Sequence, residues 1–164
     1  MAAASRYGAT TEIAEAIARG LNERGLEAEA VPAGDVRAVA GYDALVIGSA
    51  VYYGHWLDAA QAVAHDHAAD PGRPVWLFSS GPLGQPGHLL PEGDAVDVAG
   101  LVETTHAVEH RTFAGRLDRS RLKLREKAIV SALHAPEGDF RDWDAIDAFA
   151  AAIAEHLRGA RGAG

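Results

Sequence analysis

Two uninterrupted apolar runs constrain this chain most. Ala44-Leu45-Val46-Ile47 ends in Gly48-Ser49, and Val75-Trp76-Leu77-Phe78 ends in Ser79-Ser80-Gly81. Neither run alternates with polar residues, so each predicts a strand covered on both faces, as in a parallel sheet. Helical periodicity fills the intervals. From Thr10 to Arg24, Ile13, Ile17 and Leu21 fall on one face, and Gly25 sits just past the last turn. Trp56–Ala69 reads as a second helix, with Trp56, Ala60, Val63 and Ala64 inward, and Val96–Glu103 as a short third. The last helix starts at the N-cap Asp142 and aligns Ile146, Phe149, Ile153 and Leu157. Glu27–Val31 predicts a short strand stopped by Pro32 and Gly34, and the more polar Ala107–Ala114 an edge strand. This alternation predicts an α/β domain over residues 1–158, with helices on both faces of a parallel sheet and a frayed tail over 159–164.

Composition narrows the chemistry. At 164 residues, 48% apolar and 23% charged, the chain is long enough and apolar enough for one ordinary globular core. It has no cysteine, which excludes disulfides, thiolate metal sites and thiol redox centres. A formal net charge of −8 argues against nucleic acid as a partner. The apolar runs are too short to cross a bilayer, and the N-terminus lacks a signal-peptide pattern, so a cytoplasmic protein is expected.

In open parallel sheets, ligands bind outside the carboxyl ends of the strands, which directs attention to three loops. The first, Ser5-Arg6-Tyr7-Gly8-Ala9-Thr10-Thr11, leads straight into a helix. It offers hydroxyls, a glycine, an arginine and free helix N-terminal amides, which together suit a phosphate. The alternative is that the hydroxyl residues only cap the helix. It is neither a Walker loop nor a three-glycine dinucleotide fingerprint. The second loop, Gly48-Ser49-Ala50-Val51-Tyr52-Tyr53-Gly54-His55-Trp56, has small residues on which a planar ligand can lie, and two tyrosines that can stack on it. Trp56 reads instead as a core residue. The third, opening Ser79-Ser80-Gly81-Pro82-Leu83-Gly84 and continuing to Gly93, is long enough to suggest function, the alternative being a mobile surface loop.

These three loops resemble the FMN-binding loops of flavodoxins. Gly48–Trp56, together with Phe113-Ala114-Gly115-Arg116-Leu117 and the Asp142-Trp143 helix start, looks more specifically like the menaquinone-dependent protoporphyrinogen IX dehydrogenases and related flavodoxin-domain proteins. The resemblance covers essentially the whole chain. It implies a three-layer flavodoxin-like sheet of order 2-1-3-4-5. FMN phosphate would sit on Ser5, Arg6, Tyr7, Gly8, Ala9 and Thr10. The flavin ring would lie between Ala50, Val51, Tyr52, Tyr53 and Gly54 on one side and Ser80, Gly81, Pro82, Leu83 and Gly84 on the other. The flavin carries the chemistry, so no protein acid–base pair is required. The implied activity is oxidation of a porphyrinogen with a quinone or a redox protein as acceptor. The alternatives are a non-catalytic electron carrier and a flavodoxin-fold binding module that has lost FMN. One departure stands out. The resemblance implies a first strand of about six residues, an ordinary strand length, whereas only Met1-Ala2-Ala3-Ala4 precede Ser5. Either the start is assigned too late or the protein tolerates a stub, and a central strand that short would weaken the sheet and FMN binding.

Two other features complete the reading. The eight histidines include the pairs His65/His67 and His106/His110, but none has credible ligand spacing, so no metal site is expected. Arg116–Lys127 carries Arg116, Arg119, Arg121, Lys123, Arg125 and Lys127 against Asp118 and Glu126. This basic run suggests contact with an anionic substrate or the inner face of the cell membrane, the alternative being a solvated helix face. It is expected to act independently of the phosphate loop, from which it is distant in sequence.

Overall fold

The structure is a computed structural model that describes residues 1–81, 98–132 and 136–162. In chain order its elements are β1 (Ala2–Ala4), α1 (Ala9–Glu23), β2 (Val31–Pro32), β3 (Leu45–Tyr52), β4 (His55–Trp56), α2 (Asp58–Ala68), β5 (Val75–Gly81), α3 (Val98–Thr105), β6 (Glu109–Ala114), β7 (Arg116–Leu117), α4 (Leu124–Ala132), β8 (Gly138–Asp139) and α5 (Trp143–Gly162). The main sheet runs β2-β1-β3-β5-β6 with every pair parallel, and β4 folds back antiparallel on β3. Counting only the parallel strands, this is the expected order 2-1-3-4-5.

The unalternating runs do cover both faces. Leu45, Ile47, Val75 and Leu77 pack with Ala60, Val63 and Ala64 of α2 and Val98 and Leu101 of α3. Val46, Trp76 and Phe78 face the other way, onto Ile13 and Ile17 of α1 and Ile146, Phe149 and Ile153 of α5. The result is three layers, α/β/α. Gly48 is a packing requirement: a Cβ there would lie 2.0 Å from the Phe78 ring on the neighbouring strand. The short β1 holds its central place, with Ala2, Ala3 and Ala4 all buried and in register with Ile47, Gly48 and Ser49.

Several expected boundaries move, each for a local reason. The strand expected over Glu27–Val31 shrinks to Val31–Pro32. The Asn22 side chain takes both backbone groups of Ala28, at 2.8 and 2.9 Å, and the Glu29 carbonyl accepts from the N-terminal ammonium at 2.6 Å. The three-residue β1 offers β2 partners only at Ala2 and Ala3. Trp56 is buried as expected, but in β4 rather than in a helix, because it pairs with Val51 across the hairpin; α2 starts two residues later, at Asp58. The third helix ends at Thr105, and residues 96 and 97 of the expected span lie outside the described residues. Asp142 caps α5 through its Oδ1, which accepts from the Ala145 amide at 2.9 Å. That helix continues through Gly159 to Gly162, where a frayed tail is expected from sequence.

Candidate functional site

The loop after β1 enters α1 through Gly8, whose φ of 92° is left-handed, a conformation glycine adopts without strain. The Gly8 amide donates to Ser5 Oγ at 3.0 Å. The N-cap residue is Gly8 itself, which makes no side-chain cap bond. Within the helix the first amide to find its carbonyl is that of Glu12, bonded to Gly8 O at 3.0 Å. The amides of Ala9, Thr10 and Thr11 therefore lie at the positive end of the helix dipole with no intrahelical acceptor. Thr10 is buried at the second position of the helix.

The second loop begins beside the first, because Ala4 and Ser49 are register partners at the carboxyl ends of β1 and β3. Ala50, Val51 and Tyr52 complete β3, and Tyr53-Gly54 forms the turn into β4 with both residues at positive φ. Tyr53 is 76% exposed, while Tyr52 turns inward and meets it edge-on at 5.6 Å. The Arg6 guanidinium lies 4.3 Å from the centre of the Tyr52 ring. Ser80 stands opposite Ala50 in the sheet, and Ser80 and Gly81 are buried at the end of β5. Ser5–Thr10, Ala50–Gly54 and Ser80–Gly81 thus gather at one end of three adjacent strands. Pro82, Leu83 and Gly84 lie outside the described residues. Trp56 stays out of this group and donates from Nε1 to Ser79 Oγ at 2.8 Å inside the core.

Sequence reading misses Glu126. This carboxylate, only 7% exposed, joins the first two loops. Oε1 is 2.8 Å from Arg6 Nη2 and accepts from the Tyr52 hydroxyl at 2.9 Å. Oε2 accepts from the Tyr7 hydroxyl and from the Lys123 amide at 2.8 Å. The last bond is α4's own capping contact, from the residue preceding the helix to its third residue. Burial alone would raise the Glu126 pKa. The bonds from Tyr7, the Lys123 amide and Tyr52, with the charge of Arg6, outweigh it and hold the carboxyl below its usual range. Burial and the neighbouring carboxylate push the Tyr52 hydroxyl well above its ordinary pKa.

The basic segment is neither remote from the phosphate loop nor a simple solvated face. Arg116 forks onto Glu12 of α1 at 2.9 and 3.1 Å. Arg141 reaches the same carboxylate at 2.6 Å and also holds Asp139. Arg121 donates to the Tyr7 carbonyl at 3.1 Å and pairs with Asp118. The Arg119 amide donates to Glu137. Bonds from Arg141 first, then Arg116, lower the Glu12 pKa against the effect of burial. The expectation that this segment acts independently of the phosphate loop is therefore corrected: α4 and the turn before it are bonded to that loop, and β7 to the helix the loop leads into. Among the described residues, no group of histidine, aspartate and glutamate side chains could hold a metal ion.

A three-layer parallel sheet of this order, with a glycine-turned helix N-terminus beside an aromatic hairpin at its carboxyl end, defines a flavodoxin-like α/β protein. Residues 1–144 match the model of the flavodoxin domain, and the chain belongs to that family. No curated protein matches the sequence. Solved structures share the fold at low identity. Rubredoxin oxygen:oxidoreductase from Desulfovibrio gigas aligns with a TM-score of 0.65 at 11% identity, over 96% of this chain and 35% of that one. A flavodiiron core from Synechocystis aligns at 0.54 and 23% identity, over 81% of this chain and 35% of that one. The chain thus spans about a third of the length of these two proteins. A Pseudomonas aeruginosa flavodoxin aligns at 0.55 and 18% identity, over 92% of this chain and 95% of that one.

Membership of the flavodoxin domain family indicates FMN binding. The residues present fit that cofactor. The uncapped α1 amides, Gly8, Thr10 and the Arg6 cation suit a phosphomonoester, and the small residues of the Ala50–Gly54 strand end suit a flat ring. Bound FMN supplies the redox chemistry, while the protein supplies position and field.

Proposed function

We propose that this chain is an FMN-dependent oxidoreductase whose reductant is an anionic tetrapyrrole of the porphyrinogen class and whose acceptor is a quinone. The observation that supports FMN use is the uncapped, left-handed entry of α1 at Gly8, beside Arg6 and the Tyr52–Gly54 hairpin. The substrate class rests on the resemblance of Gly48–Trp56 and Phe113–Leu117 to porphyrinogen dehydrogenases. In this reading Gly8, Ala9, Thr10 and Arg6 bind and orient the phosphate, and Ala50–Gly54 and Ser80–Gly81 flank the ring. Electrons taken from the substrate leave on the quinone. Cytoplasmic placement, with anionic-substrate or peripheral membrane contact through Arg116, Arg119, Arg121 and Lys123, belongs to the same proposal.

A second reading, a plain electron carrier, is favoured by one observation. Arg116 and Arg121 are engaged by Glu12, Asp118 and the Tyr7 carbonyl, which leaves them less available to an anionic substrate.

The test begins with cofactor extraction from the purified chain, which should yield FMN and not FAD. Gly8→Val should abolish most FMN binding by imposing strain of about 1–3 kcal/mol at a positive φ and crowding the phosphate site. Thr10→Ala should cost about 1–2 kcal/mol of FMN binding. Unchanged FMN titrations in both variants would move the phosphate elsewhere. Anaerobic mixing with protoporphyrinogen IX, then menadione, separates the readings: bleaching followed by recovery of the flavin absorbance supports the enzyme, and no bleaching supports the carrier.

A further inference from the structure

The donors around Glu126 form an anion receptor. A guanidinium from Arg6 and hydroxyls from Tyr7 and Tyr52 converge on one carboxylate, and all three belong to the loops assigned to FMN. Only the capping amide of Lys123 comes from the same segment as Glu126. A carboxylate with this many donors is satisfied, which is the condition for burying a charge.

Among its described side chains, the helix that delivers the carboxylate buries little else. Among the described side chains of α4, Glu126 alone is buried, and Leu124 is 86% exposed. The nearby support is polar as well: Arg121 donates to the Tyr7 carbonyl from an exposed position. A helix docked by charge rather than by apolar area loses its hold when another anion satisfies the same donors.

We infer that Glu126 is a resident counter-anion, holding Arg6 and Tyr7 in the place of a ligand phosphomonoester and tying Tyr52 of the ring loop to the same carboxylate, so that FMN and α4 compete for the two phosphate-loop donors. The inference rests on the FMN reading above. Its consequence is reciprocal coupling: whatever holds α4 down weakens the cofactor's grip, and the cofactor loosens α4 to the same degree.

The experiment uses the full chain with Glu126→Ala and the near-isosteric Glu126→Gln, which preserves shape if the alanine variant folds poorly. Each is titrated with FMN and with riboflavin, which lacks the phosphate. Each is also digested briefly with trypsin, with and without FMN, following cleavage after Arg125 and Lys127. Loss of a competing charge-assisted contact should tighten FMN binding about tenfold in Glu126→Ala, with Glu126→Gln in between. Riboflavin affinity should change far less than FMN affinity, and FMN should speed cleavage of the wild type at both sites. Equal FMN affinity in all three proteins, or weaker binding in both variants, overturns the competition while leaving the cofactor reading intact. No FMN binding by any of the three overturns both, and is recognised by the absence of a titration rather than by equal titrations.

Discussion

Helices α5 and α4 sit on the same body by opposite means. α5 buries Ile146, Phe149, Ala150, Ile153 and Ala154 against α1 and the sheet, and its Phe149 ring lies 5.7 Å from Phe113. α4 brings one buried carboxylate to one guanidinium and two hydroxyls. Apolar burial is non-directional and indifferent to pH, whereas a carboxylate contact depends on one proton and on competing ions. The difference separates the part of the molecule that holds the fold from the part that can answer a ligand.

Truncation should split the two helices most sharply. Phe149→Ala removes a fully buried ring and should cost about 3–5 kcal/mol of stability, read as a lower urea midpoint. Glu126→Ala should cost about 1 kcal/mol, because Arg6 is already 36% exposed and can be rehydrated. Equal losses would make α4 as integral to the fold as α5.

Acid should sharpen the same contrast by a smaller amount. Glu12, Asp139 and Glu126 have folded pKa values below their ordinary ones. Their contribution to stability is therefore complete above the usual carboxylate range and is lost as pH falls through the lowered values. Urea midpoints measured from neutral pH down to about 3 should fall. Trypsin sites cannot be read in acid, so α4 is followed by amide-exchange protection, which should drop before that of α5. In Glu126→Gln the α4 protection should no longer depend on pH.

Arg121→Gln should give the smallest effect. It removes an exposed contact to the Tyr7 carbonyl, worth less than about 0.5 kcal/mol. Tryptic cleavage at Arg125 should rise no more than about twofold, with the urea midpoint unchanged. A large rise would place the hold on α4 at Arg121 instead of Glu126.

Most of the architecture was legible because it is written in local patterns. The runs ending at Ile47 and Phe78 announced buried strands, and the spacing of Ile13, Ile17 and Leu21 announced α1. The order of the strands came from the family resemblance, since periodicity does not specify neighbours. Glu126 was hidden among like-looking charges, in a helix with no apolar stripe, and its partners lie 119 and 74 residues away in sequence. A contact of that kind leaves no periodic trace. The short β2 was hidden for a related reason: the side chain of Asn22 takes the Ala28 backbone that a strand would have used.

The placement of Pro32 has a consequence for how copies of this chain meet one another. Among the described residues, β2 and β6 are the outer strands of the sheet. One rim is only two residues long, and one of those residues has no amide hydrogen to offer. The other rim carries Glu109 and Arg111, paired with each other at 2.6 Å. Short length, proline and charge are the devices that discourage a foreign strand from extending a ladder. A sheet with bare alanines in its central strand is thereby guarded at its borders, where crowding in a cell would otherwise invite edge-to-edge aggregation.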